Sequence, residues 1–217
     1  MAISEVSICN WALSRIAVSR TINDLNEAGQ EAVTCKLFYE QCRDETLRSF
    51  AWPFATRFAT LAMVDENNPA YDWVYSYRRP SNCLRVLMIR PQQGFNVVPS
   101  DDLGYYANPY LGPAHDPGDA FELAGDDQGR LILTNTPEAR IVYIAGVTDS
   151  SRFDPDFASA LAWKLASEIA TPLAQSSAIS QRAGQAFAMA IKEARDTAIA
   201  EKYRGKPPEA ESIRERL

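Results

Sequence analysis

The spacing of apolar residues changes twice along this chain, and that double change limits the fold more than any single motif does. Apolar positions recur every three or four residues from Ser4 to Phe50, fall into short alternating runs from Arg57 to Val147, and return to the helical period after Asp154. A chain with helical ends and a β middle is α+β. The pattern predicts an antiparallel four-helix bundle, two N-terminal and two C-terminal helices, carrying an antiparallel β-sheet insertion. The expected boundaries are 1–56 and 150–203 for the bundle, 57–149 for the β insertion with a long loop at 99–119, and 204–217 for a C-terminal tail.

The first helix runs from about Ser4 to Ala17. Ile3, Val6, Cys9, Leu13, Ile16 and Ala17 mark its apolar face, and Ser4 is placed to cap the first turn. A polar connector with Ile22 and Leu25 as apolar anchors leads to the second, from Gln30 to Phe50. There Ala32, Cys35, Tyr39, Cys42, Thr46 and Phe50 form one stripe, opposite a charged face with Lys36–Glu40 and Asp44–Arg48 pairs. The two are expected to pack together as a helical hairpin. Pro53 ends the second helix in an aromatic knot of Trp52, Phe54 and Phe58, which reads as a plug over a helical core, with a ligand-stacking site as the alternative.

Near the C-terminus, Asp154-Pro155 opens a third helix through Phe157, Leu161, Leu165, Ile169 and Leu173, with Pro172 expected to kink or end it. A fourth, from about Ser180 to Lys202, holds seven alanines between Ala183 and Ala200. Either they permit close packing on two sides, or alanine is there only as the best helix former. After Gly205 and Pro207-Pro208 the tail is polar. Ile213 and Leu217 lie i,i+4, so the tail is either a frayed end or a short amphipathic helix that docks on a partner.

In the middle, the runs RFATLAMV, DWVYSYRRP, CLRVLMIRP, FELAG, RLILTN and RIVYIAGV are rich in β-branched and aromatic residues. GDDQG has hairpin-turn composition, which makes Asp126 and Asp127 turn residues first. The stretch PSDDLGYYANPYLGPAHDPGD is long for a loop in a compact domain. Tyr105, Tyr106 and Tyr110 within it are candidate interface anchors, as are Ile213 and Leu217 in the tail.

Charge and composition exclude several functions. A formal charge of −6 and a pI near 4.9 argue against a surface built to grip nucleic-acid phosphate, yet suit a wall past which DNA slides. The four cysteines have no metal-ligand spacing and read as small buried hydrophobes of a reducing compartment. The single histidine, His115, reads as a turn residue, so no metal or other cofactor is expected. No apolar run is long enough for a membrane span.

The helical ends carry a resemblance. N-x-A-L-x-R-I at Asn10 to Ile16, C-x-x-x-Y-x-x-x-R-D at Cys35 to Asp44, L-R-S-x-x-W-x-F-A at Leu47 to Ala55 and A-L-x-x-x-L-A-x-E-I-A at Ala160 to Ala170 are similar to the tail tubular protein A family, the head-to-tail adaptors of short-tailed bacteriophages. The resemblance covers about half of the chain and includes no catalytic signature. It implies a structural virion protein in the phage tail, made in the host bacterial cytoplasm. Its partners would be further copies of itself in a dodecameric ring, the portal protein and the tail nozzle protein, with genomic DNA passing through the lumen without specific binding.

The enzyme alternative is a tail-associated glycan or peptidoglycan hydrolase. It would need two carboxylates about 5 to 9.5 Å apart across a cleft. Glu66, Asp101, Asp102, Glu122 and Asp126 are the candidates in or beside the β region, and no spacing singles out a pair, so the chain is expected not to be an enzyme.

Overall fold

The computed structural model describes residues 3–67, 72–91 and 119–201. They divide into two compact units: the residues up to Thr56 together with Ala145–Ile199, and the intervening Arg57–Ile144.

The first unit is helical, with α1 (Glu5–Arg15), α2 (Gln30–Arg48), α3 (Pro155–Ala174) and α4 (Ser177–Ala200). Ser4 caps α1 as expected: its Oγ accepts from the Ser7 N–H at 3.1 Å, and the Ser7 Oγ accepts from the Ser4 N–H at 2.9 Å. The four helices do not form the predicted bundle. Both α1 and α2 pack on α3 and only marginally on each other, so the expected hairpin of α1 on α2 is corrected as well. The reason lies in α3, where Phe157, Ala158, Ala160, Leu161, Ala162, Leu165, Ala166, Ile169 and Ala170 are all buried. That is an arc too wide for one neighbour, and it serves two. An amphipathic stripe says which residues are buried but not against what.

Polar contacts complete the α3 junctions. The Arg15 guanidinium donates to the Ser159 carbonyl at 2.7 Å and to its Oγ at 3.0 Å, and lies 4.2 Å from the centre of the Trp163 ring. Lys164 bridges Glu45 of α2 at 3.1 Å and Glu168 of α3 at 2.8 Å. Asn10 holds the connector by accepting from the Ile22 N–H and donating to its carbonyl, both at 2.9 Å. Helix α4 buries only Ala183, Ile191, Ala194 and Ala198, a single narrow face. Pro172 does not end α3, which continues to Ala174 and stops where Gln175 takes a left-handed conformation.

The second unit is β, and here too the expectation is corrected: its strands form two antiparallel sheets rather than one insertion sheet. The strands are β1 (Thr56–Thr60), β2 (Ala62–Glu66), β3 (Tyr75–Arg78), β4 (Cys83–Pro91), β5 (Phe121–Asp126), β6 (Gly129–Thr134) and β7 (Ala139–Ala145). One sheet has the order β1-β7-β4 and the other β2-β3-β6-β5. RFATLAMV, read as one run, divides at Leu61. Leu61 donates its N–H to Ala139 of β7 at 2.9 Å, and Ala62 pairs with Arg78 of β3. From Leu61 the run is apolar without a break through Val64, and nothing in that composition marks the change of partner. In the four-stranded sheet the central Tyr77, Leu131, Ile132 and Leu133 are buried, while every residue of the edge strand β2 is exposed.

Candidate functional site

Tyr105, Tyr106, Tyr110, Ile213 and Leu217, together with Asp101, Asp102 and His115, lie outside the described residues. The three remaining carboxylates are not brought together. Glu66 ends β2 in a row with Tyr75, Thr134 and Phe121, whereas Glu122 is on β5, at the opposite edge of the same sheet. Three interstrand steps separate those edges by roughly 14 Å. That exceeds the span at which two carboxylates share one glycosidic bond. Glu122 accepts the Trp73 indole N–H at 2.9 Å. Asp126, at the hairpin turn, takes both terminal nitrogens of Arg78 at 2.7 and 2.9 Å, and that bonding holds its carboxyl at about 2.

The aromatic knot is a plug. Trp52 is buried against Phe50, Phe54 and Phe157, with ring centres 5.1, 6.2 and 5.0 Å away, and its indole N–H donates to the Thr46 carbonyl. Phe58, grouped with it in sequence, stands elsewhere. β1 begins at Thr56, and alternation along it leaves Phe58 69% exposed.

All four cysteines are free and buried. A hydrogen bond to Cys35 and burial push the Cys9 thiol up, and burial pushes Cys42 up to about 12, so both stay protonated at neutral pH. Tyr39 lies in the same interior. Its hydroxyl is buried without a hydrogen-bond partner, and burial raises its pKa. Among the described residues no group of three or more His, Cys, Asp or Glu could hold a metal ion, and no helix is long and apolar enough to cross a membrane.

Sequence reasoning missed a hollow beside the three-stranded sheet. Phe58, Ala59 and Thr60 of β1, Arg140, Ile141 and Val142 of β7, and Arg90 of β4 line a hollow of about 270 Å³ there. Its lining holds two guanidinium groups and neither a carboxylate nor a thiol. Further exposed apolar side chains lie on β2 (Met63 and Val64), β5 (Leu123), α1 (Trp11), α2 (Val33 and Leu37) and α4 (Met189). The signal that could have found them was the apolar residue on the charged side of each pattern, as with Leu37 beside Lys36.

Comparison of the chain with protein-family models and with curated proteins returns no match.

Proposed function

We propose that this chain is a subunit of a head-to-tail adaptor ring, which joins a phage portal to the tail nozzle and extends the DNA channel. One observation carries the reading: the residues that resemble the tail tubular protein A family are those that knit α1, α2 and α3 into one core. Asn10 pins the connector and Arg15 reaches α3. Ala12, Leu13, Cys35, Tyr39, Leu47, Trp52, Ala160, Leu161, Leu165, Ile169 and Ala170 are buried. The resemblance therefore lies in a scaffold and not in scattered surface positions. The net charge of −6 supports the same reading, since an acidic wall repels the phosphate backbone and lets DNA pass.

The test is to mix the purified protein with the portal of its phage, weigh the complex, and image assembled tails by electron microscopy. The expected result is a closed ring of copies coaxial with the portal. A single copy attached away from the portal axis would overturn the reading.

A further inference from the structure

Helices α1 and α2 both rest on α3 and meet each other only marginally. Between them, the Cys9 S–H of α1 donates a hydrogen bond to the Cys35 sulfur of α2. Both side chains are wholly buried, and both thiols are free. A hydrogen bond between two thiols brings the sulfurs into contact, and a disulfide needs them to close to about 2 Å with the Cβ atoms about 3.8 Å apart. The other cysteines are placed less well. Cys42 lies seven residues further along α2, about 10 Å from Cys35 in the direction of the axis, and Cys83 opens β4 in the β unit.

We infer that Cys9 and Cys35 form a redox-closed staple between α1 and α2: a peroxide joins them as a disulfide, and a thiol reductant reopens it. Cys35, as its thiolate, attacks one oxygen of the peroxide. The O–O bond breaks, Cys35 becomes a sulfenic acid, and the hydroxide released takes up the proton that Cys35 gave up and leaves as water. The Cys9 sulfur then attacks the Cys35 sulfur. The S–S bond forms, the S–O bond breaks, and the hydroxyl leaves with the Cys9 proton as a second water. Two thiols lose two electrons in all, and one peroxide is reduced to two waters. Cys35 is the better nucleophile of the two, because the S–H bond donated by Cys9 favours its thiolate and lowers its pKa, whereas the same bond and burial push Cys9 up. Burial sets the rate of the first step. Peroxide reaches the pair only in openings of the helical core, and reclosure returns Cys9 to the oxidised Cys35. The disulfide closes the segment 9–35 into a loop, which restricts the unfolded chain and ties covalently two helices that the reduced protein holds together mainly through α3. The inference uses the helical unit alone and stands independently of the adaptor reading.

Controlled oxidation of the full chain tests it. The protein is purified under reductant, freed of it, and held with a small excess of hydrogen peroxide while circular dichroism checks that it stays folded. Intact mass should fall by two hydrogen atoms, the thiol count after denaturation should fall from four to two, and proteolysis should yield a peptide that joins Cys9 to Cys35. Dithiothreitol should restore all four thiols. The oxidised chain should unfold at a higher urea concentration than the reduced one. Cys35→Ala should form no intrachain disulfide, while Cys42→Ala should form it as the unmodified protein does. If Cys35→Ala does not fold, the joined peptide from the unmodified protein decides by itself. The inference is overturned by four thiols that persist, by thiols that gain oxygen and do not pair, by a disulfide between other cysteines, or by an oxidised chain no more stable than the reduced one.

Discussion

At the scale of single residues, Trp52 and Phe58 show how similar side chains six positions apart take opposite roles. Trp52 follows the last turn of α2, where its ring closes the interior against Phe157 and its one polar atom is satisfied by Thr46. Replacing it with Ala removes that ring and leaves a cavity. The expected cost is about 3 to 5 kcal/mol, measured by urea denaturation. An unchanged unfolding midpoint would mean that the ring contributes little to the core. Its burial was legible in sequence as part of an aromatic cluster just past a helical stripe, although α2 ends at Arg48, ahead of Pro53, and not at the proline as expected. The exposure of Phe58 was not. Pattern marks Phe58 as apolar, and only the start of β1 at Thr56 decides which face it occupies.

Among the elements, the β5–β6 hairpin is the best case of local sequence specifying local structure. GDDQG turns the chain so that Asp126 pairs with Gly129, whose φ of +141° is a conformation that favours glycine. Arg78 of the neighbouring β3 then bonds the Asp126 carboxylate. Because this lowers the carboxyl from its ordinary 3.8 to about 2, the pair's contribution is present above the ordinary value and is lost as pH falls toward 2. Arg78→Gln should move the Asp126 midpoint back up toward 3.8, as followed by carboxyl-carbon NMR. A midpoint unmoved by the substitution would assign the shift to the turn's own N–H groups. Helix partners were less legible than this turn. The stripes of α1 and α2 are correct as burial patterns, yet both helices meet α3, more than a hundred residues away in sequence, and nothing local encodes that choice. The same limit hid the second sheet, since Leu61 looks like any other apolar residue in the run from Leu61 to Val64.

For the whole molecule, the important junction is where the chain leaves the helical unit and returns to it. The Ala145 N–H donates to the Ala55 carbonyl at 2.9 Å, so the two crossing points are adjacent in space. The helical unit has its own interior, built from α1, α2 and α3 and closed by Trp52, Phe54, Phe153 and Phe157. No long loop has to be bridged to close this unit on itself, and short loops carry only a small closure entropy. Excising 57–144 and joining Thr56 to Ala145 through a few glycines should therefore leave a folded helical protein. Far-UV circular dichroism should show a cooperative helical transition. Cys9, Cys35 and Cys42 should resist a thiol reagent until that transition, because their burial depends on the same core. If the excised protein exposes its thiols at once, the helical core depends on the β unit, and the two units fold as one.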